Sequence, residues 1–215
     1  MNNTHKYGLR LYKVAGVQYP SPIEFSVADA YQAKADDTST NVDLNVGDPV
    51  KMVSDGTVAL AVTTNDVFGV VMGILPYWNG TAMTFGRRLP GATTGGSILE
   101  RKSRVLVLPV TNDMYFECDV DDATTATTEA GYFAFVNENV DHTCAGDTTN
   151  ASYPKADPRL DISTHATTHT LGWRIIQVSK SRENQDFSGT NVKLIVACNN
   201  IQVYDATGGT LGTGV

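Results

Sequence analysis

Basic charge is scarce in this sequence. Lys and Arg number 16 against 23 Asp and Glu, a formal net charge of −7. Phosphate-backbone binding needs a basic stripe, so nucleic acid is excluded as a direct main partner. The densest basic run is Arg87 and Arg88 with Arg101, Lys102 and Arg104. It reads as rim charge on a loop, or in a sharper version as a contact for an acidic partner surface. Cysteine is scarcer. Cys118, Cys144 and Cys198 are odd in number and form no CxxC spacing, which argues against a disulfide framework. Cys118 and Cys198 sit in apolar runs, where a free thiol behaves as a small hydrophobe, and a reducing cytoplasm is the simplest setting for synthesis. Long apolar runs are missing as well. None approaches the ~20 residues of a membrane-spanning helix, so no membrane role is expected. The opening "MNNTHKYGLRLYKVAG" holds no apolar signal core, and the sequons at Asn2, Asn79 and Asn150 are read as chance matches.

What is present is β-forming sequence. Charged residues make up 18% against about 25% in ordinary chains, and Thr, Asn, Ser and Gly fill the difference. From Asp43 onward, short apolar segments alternate with turns. "VGDPVKMV", "TVALAV" and "GVVMGIL" form a meander whose first turn is "SDGT". "RVLVLPV", "MYFECDVD", "YFAFVN", "LGWRIIQVS", "NVKLIVACNN" and "IQVYD" continue as strands. Regular short strands of this kind predict an all-β fold, a compact β-barrel or β-sandwich. Two long loop insertions, 76–103 and 138–169, decorate it.

Residues 1–42 read as an extended N-terminal arm, 43–205 as the β-domain and 206–215 as a flexible C-terminal tail. The arm carries Leu9, Leu11, Tyr12, Tyr19, Ile23 and Phe25 with little core of its own. Such a segment docks on something, either its own domain or a neighbouring subunit. In the first insertion, Tyr77, Trp78 and Phe85 are candidate partner anchors beside Arg87 and Arg88, with Tyr153 in the second.

Several segments invite a chemical reading. In an aspartic-protease loop the Asp is followed by a small hydroxyl residue and then Gly. Here the order is Asp55, Gly56, Thr57, and Asp-Gly supplies the positive φ of a hairpin turn. "DVDDATTATTEAG", with Asp119, Asp121, Asp122 and Glu129, lacks the Gly of a calcium loop at its sixth position and reads as a solvated turn. His165 and His169 have the i,i+4 spacing of a helical zinc pair, and His142 and Cys144 are within recruitment. However, "DISTHATTHTLGW" lacks the intervening Glu and is rich in helix-opposing Thr. "PGATTGGS" lacks the Lys of a phosphate loop. No nucleophile, base and oxyanion hole assemble. The expectation is a non-enzyme with no catalytic residue, no metal site and no cofactor.

One order of segments stands out: a Gly-Asp start, a "DG" hairpin, an "FGVV" return strand, a "VLPV…D…FE" pair, "AGYFAFVN", and a Trp-bearing strand, "LGWRIIQV", before "NVKLIVACNN". Across residues 44–205 this order resembles the capsid decoration (cement) proteins of tailed bacteriophages. The resemblance implies a structural virion protein made in the host cytoplasm and carried on the outer capsid surface. It implies a homotrimer at three-fold or quasi-three-fold positions, cementing neighbouring copies of the major capsid protein. Deleting residues 1–25 is then expected to weaken shell binding while leaving the β-domain folded. The alternative is a tail or fibre accessory domain gripping a sugar or host receptor through Tyr77 and Trp78. A third reading is a metal-dependent hydrolase using His165 and His169.

Overall fold

A computed structural model describes residues 8–16, 20–28, 44–54, 56–63, 66–78, 82–89, 103–121, 124–144, 158–182, 184–188, 191–204 and 210–211. The arm supplies β1 (Arg10–Val14) and β2 (Ile23–Ser26). The meander supplies β3 (Leu44–Asn45), β4 (Pro49–Met52), β5 (Val58–Leu60) and β6 (Gly69–Ile74). The first insertion holds three short strands, β7 (Tyr77–Trp78), β8 (Met83–Thr84) and β9 (Arg88–Leu89). Then come β10 (Arg104–Pro109), β11 (Met114–Asp119), a helix α1 (Glu129–Ala134), β12 (Asn139–Thr143) and β13 (Arg159–Ala166). The chain ends through β14 (Trp173–Val178), β15 (Lys193–Cys198), β16 (Val203–Tyr204) and β17 (Thr210–Leu211).

The fold is all-β, built on two antiparallel sheets. One has the order β1-β11-β15-β14-β12-β13 and the other β2-β10-β6-β4-β5. A bent ribbon joins them. β10 and β11 are separated by only four residues yet lie in different sheets, and β1 and β2 follow them antiparallel on the outside. The Ala15 N–H bonds to the Asp113 carbonyl at 2.8 Å within the bend. Strands that switch sheets at such a corner are how two sheets are held at an angle without a closed barrel. The larger sheet curls until Leu160, in β13, meets Val120, just after β11, through one isolated parallel bridge. The barrel remains open.

Two cores result. The first lies inside the curled sheet, with Phe116, Leu160, Ile162, Trp173, Ile175, Leu194 and Val196 all fully buried. Phe116 meets Trp173 edge to face, 5.8 Å between centroids, the arrangement that ring quadrupoles favour. The second core lies against the smaller sheet, with Val50, Val58, Val71, Val105 and Val107 beneath Leu44 and Leu89 of the β3–β9 pair. Adjacent residues on β6 divide between the cores: Val70 enters the first and Val71 the second. This is the period-two geometry of a strand buried on both faces.

The turn between β4 and β5 matches its sequence. Gly56 takes φ +79°, the left-handed conformation that glycine enters without steric cost, and Val53 and Thr57 close the turn at 2.8 Å. Gly69 is demanded for a different reason. A Cβ there would stand 2.4 Å from Val107 Cγ1 and 2.7 Å from the Leu108 carbonyl oxygen, where Gly69 lies opposite Pro109 of β10. Gly69→Ala is therefore expected to cost about 1–3 kcal/mol, read as a lower urea midpoint at unchanged slope.

Three readings are corrected. "YFAFVN" is not a strand, since its first three residues close α1. Thr128 caps that helix by accepting from the Gly131 N–H at 3.1 Å, as a hydroxyl N-cap does, and Tyr132 is fully buried in the first core. Asn137 stops the turn at φ +75°, a region that Asn tolerates. The insertion 138–169 is not structureless, because it carries β12 and β13, the far edge of the larger sheet. Of the two alternatives for the arm, its described residues follow the first, docking on the chain's own domain as the edge strands β1 and β2. The expected free tail begins after Asp205, yet Thr210–Leu211 pairs with Val203–Tyr204.

Candidate functional site

The arm's anchors divide between buried and exposed. Leu9, expected to contact a partner, is 2% exposed in the chain's own first core, and its N–H bonds to the Gly47 carbonyl at 2.9 Å. This is a correction: a side chain buried at home has no area left for a neighbour. Leu11 packs half-buried on the same core. Phe25 packs on the second core, edge to face on Phe68 at 5.2 Å. Tyr12 and Ile23 remain outside, each 52% exposed. Tyr19 and Tyr153 lie outside the described residues.

Among the described residues, the first insertion carries the two most exposed large apolar side chains. β7 and β8 form a small antiparallel pair, Tyr77 opposite Thr84 and Trp78 opposite Met83. Tyr77 packs half-buried on the second core, which roots the pair. Beyond it, Met83 is 55% and Phe85 77% exposed. Arg87 is exposed, and its carbonyl accepts from the Val46 N–H at 2.9 Å. Arg88 sits in β9 opposite Asn45. Met83, in β8, and Phe85 and Arg87, in the bend that follows it, are thus three exposed side chains within five residues. Met83 was not foreseen in the sequence, although its two-residue spacing from Phe85 was the signal available.

The ionisable side chains are deployed differently. On the outer face of the β11–β15 ladder, Glu117, Asp119 and Lys193 are 4%, 3% and 1% exposed. The Glu117 carboxylate accepts from the Arg10 guanidinium and from the Ser179 hydroxyl. Lys193 Nζ stands 3.7 Å from Asp119 Oδ1. Burial pushes the Asp119 carboxyl from 3.8 up to about 6, against the pull of Lys193 and Arg159. Asn184 clamps the loop before β15, donating to the carbonyls of Ser179 and Lys193 at 2.8 and 3.0 Å and accepting from the Lys193 N–H at 2.9 Å. Arg10, Glu117 and Ser179 thus tie β1, β11 and the end of β14 together, and Lys193 and Asp119 pair across the β11–β15 ladder.

The metal reading does not assemble. His165 Nδ1 meets Glu138 Oε2 at 2.6 Å and its ring lies 4.3 Å from Phe135. His169 is exposed in the loop before β14, and His142 points into the first core. Cys144 is buried in the second core. Among the described residues no three His, Cys, Asp or Glu side chains are grouped to hold a metal ion. Asp119 is buried in β11, the Asp121 carboxylate accepts from the Ile162 N–H at 3.3 Å, and Glu129 opens α1. They do not converge as a calcium loop. Two thiols are held protonated: burial raises Cys118 well above its ordinary range and pushes Cys198 up to about 12. Among the described residues no helix is long and apolar enough to cross a membrane. No protein-family model, no curated protein and no solved structure matches the chain.

Proposed function

We propose that the chain is a structural, non-enzymatic virion protein. It binds the outside of a tailed-phage capsid and cements neighbouring copies of the major capsid protein, as a homotrimer at three-fold or quasi-three-fold positions. The observation that carries this reading is the projecting Met83–Phe85–Arg87 segment. It presents a 77%-exposed aromatic and, two residues on, an exposed cation, the residue types that dominate protein interfaces, directly after a rooted β-pair. The order of segments shared with capsid decoration proteins supplies the partner. The commitment of the buried ionisable groups to the fold favours burial over catalysis as the mode of action.

The test uses the full chain with purified expanded shells. Light scattering is expected to give a mass near three chains, and cosedimentation is expected to show saturable binding. Phe85→Ser should weaken binding at least tenfold, an effect of about 1.4 kcal/mol, while leaving the melting temperature within a degree or two. A strict monomer that ignores shells overturns the proposal.

A further inference from the structure

His142 is buried at the seam between the two sheets, 1% exposed, with both ring nitrogens engaged. Nε2 lies 2.9 Å from the carbonyl oxygen of Ala61, which directly follows β5 of the smaller sheet. The indole N–H of Trp173, in β14 of the larger sheet, lies 3.2 Å from Nδ1. A carbonyl only accepts and an indole only donates. Nε2 therefore carries the proton and Nδ1 the lone pair, so one neutral tautomer satisfies both neighbours.

We propose that His142 is an acid-released latch between the two sheets. A second proton on the ring would have to go on Nδ1, where it would face the Trp173 N–H donor to donor. The Trp173 bond is then lost, and a cation is left in an apolar core. While the ring stays in place its Nε2–H still donates to the Ala61 carbonyl, so the seam opens only as the cation swings out to water and gives up that bond as well. Burial already holds the ring below its ordinary 6.5, opposed by the Ala61 carbonyl and by the charge of Asp141.

The surroundings are otherwise uncharged. Across the ladder on β13, Leu160 stands opposite His142 in register, Trp173 faces it from β14, and Ala61 faces it from the smaller sheet. Asp141 is next to it on β12, and its carboxylate accepts from the Gly172 N–H at 3.1 Å.

The direction of the effect follows by linkage. The unfolded ring takes up a proton as pH falls through about 6.5 while the folded ring resists, so stability is lost from there downward until the folded ring itself titrates. The seam has other ties. Val67 exchanges backbone bonds with Asn200 and Gln202, and the side-chain amide of Gln202 bonds both ways with the backbone of Met52. Acid release at His142 therefore loosens the β5 side first, with the bent ribbon still joining the sheets.

The test follows urea unfolding of the full chain from pH 7.5 to 5.0 in wild type, His142→Gln and Trp173→Phe. The amide of Gln keeps a donor and an acceptor and does not titrate, while Phe removes the opposing N–H. Below pH 6.5 the wild-type unfolding constant is expected to rise relative to that of His142→Gln by up to tenfold per pH unit, the one-proton limit. In Trp173→Phe this excess slope should shrink. Hydrogen exchange, corrected for intrinsic rate, should show Val58–Ala61 and the Trp173 indole losing protection at pH 5.5 in wild type. Parallel slopes for wild type and Trp173→Phe overturn the latch, as does unchanged protection of Val58–Ala61, and neither result depends on His142→Gln folding.

Discussion

A chain lacking residues 1–28 is expected to lose at least about 5 kcal/mol of stability, as much as some domains possess. At this chain length that is a fall of about 10–20 °C in melting temperature. The sequence pattern of scattered apolar residues pointed to a dispensable arm. The structure reverses that expectation. Removing β1 uncovers the β11 edge from Glu117 to Met114, and removing β2 uncovers β10 from Arg104 to Val107. Leu9 and Val27 leave fully buried sites, one in each core, at about 1.5–3 kcal/mol for each side chain. Val27 also takes its N–H bond to Ser103 and its parallel bridge to Val58. Glu117, 4% exposed, loses the Arg10 guanidinium, and a hydrogen bond to a buried charge is worth about 1.5–3 kcal/mol. Thermal unfolding and near-ultraviolet circular dichroism read the outcome. A truncated chain that keeps the full chain's transition would show that β1 and β2 merely lie on the domain. The same result bears on any shell-binding experiment, because lost binding in such a truncation reports unfolding before it reports a lost contact. Phe85→Ser is the cleaner probe, since a 77%-exposed side chain contributes little to the fold.

The strands that could be read from sequence are those whose neighbours are close in the chain. The Asp-Gly turn fixes β4 and β5 locally. β6, β10, β14 and β15 are rich in Val, Ile and Leu because both of their faces are largely covered, most fully in β15, where all six residues are buried. β12 and β13 were hidden by one-sidedness. In "RLDISTHA" only Leu160 and Ile162 turn inward, and the polar remainder looks like loop composition. α1 was misread because propensity and position disagreed. Its aromatic residues favour strand, yet Thr128 starts a turn and Tyr132 finds its pocket inside the curled sheet, a partner that exists only after the sheet forms. The exposed 83–87 segment was partly legible: Phe85 and Arg87 stood out within the first insertion, and Met83 did not. Leu9 could not be assigned to its own core from sequence, because its partners, Gly47 and the first core, lie far along the chain.

Lys193→Met is expected to cost about 3–5 kcal/mol at pH 7.5, the range for breaking a buried ion pair from one side. Lys193 and Asp119 are 1% and 3% exposed and face each other across the β11–β15 ladder. The pH dependence identifies the cause. In the wild type the folded Asp119 carboxyl is pushed up to about 6 from 3.8, so between those values the fold holds a proton that the unfolded chain releases. That contribution to stability is present in full below 3.8 and is lost as pH rises through about 6, a swing of about 3 kcal/mol for a shift of this size. It runs opposite to the His142 effect, which removes stability as pH falls, and so the two partly cancel in the wild type between pH 4 and 6. Lys193 is the strongest of the charges holding the Asp119 carboxyl down. Without it the carboxyl rises further, ionised Asp119 at pH 7.5 becomes costlier, and neutral Asp119 at pH 4 does not. The deficit of Lys193→Met should therefore shrink on acidification. Adding Asp119→Asn should bring the double variant to within about 1 kcal/mol of wild type, because replacing a buried pair as a unit is close to neutral. A double variant as unstable as the single one would place the loss in the packing of the Lys193 stem, which lies against the fully buried face it shares with Ile195, and not in the pairing of charges.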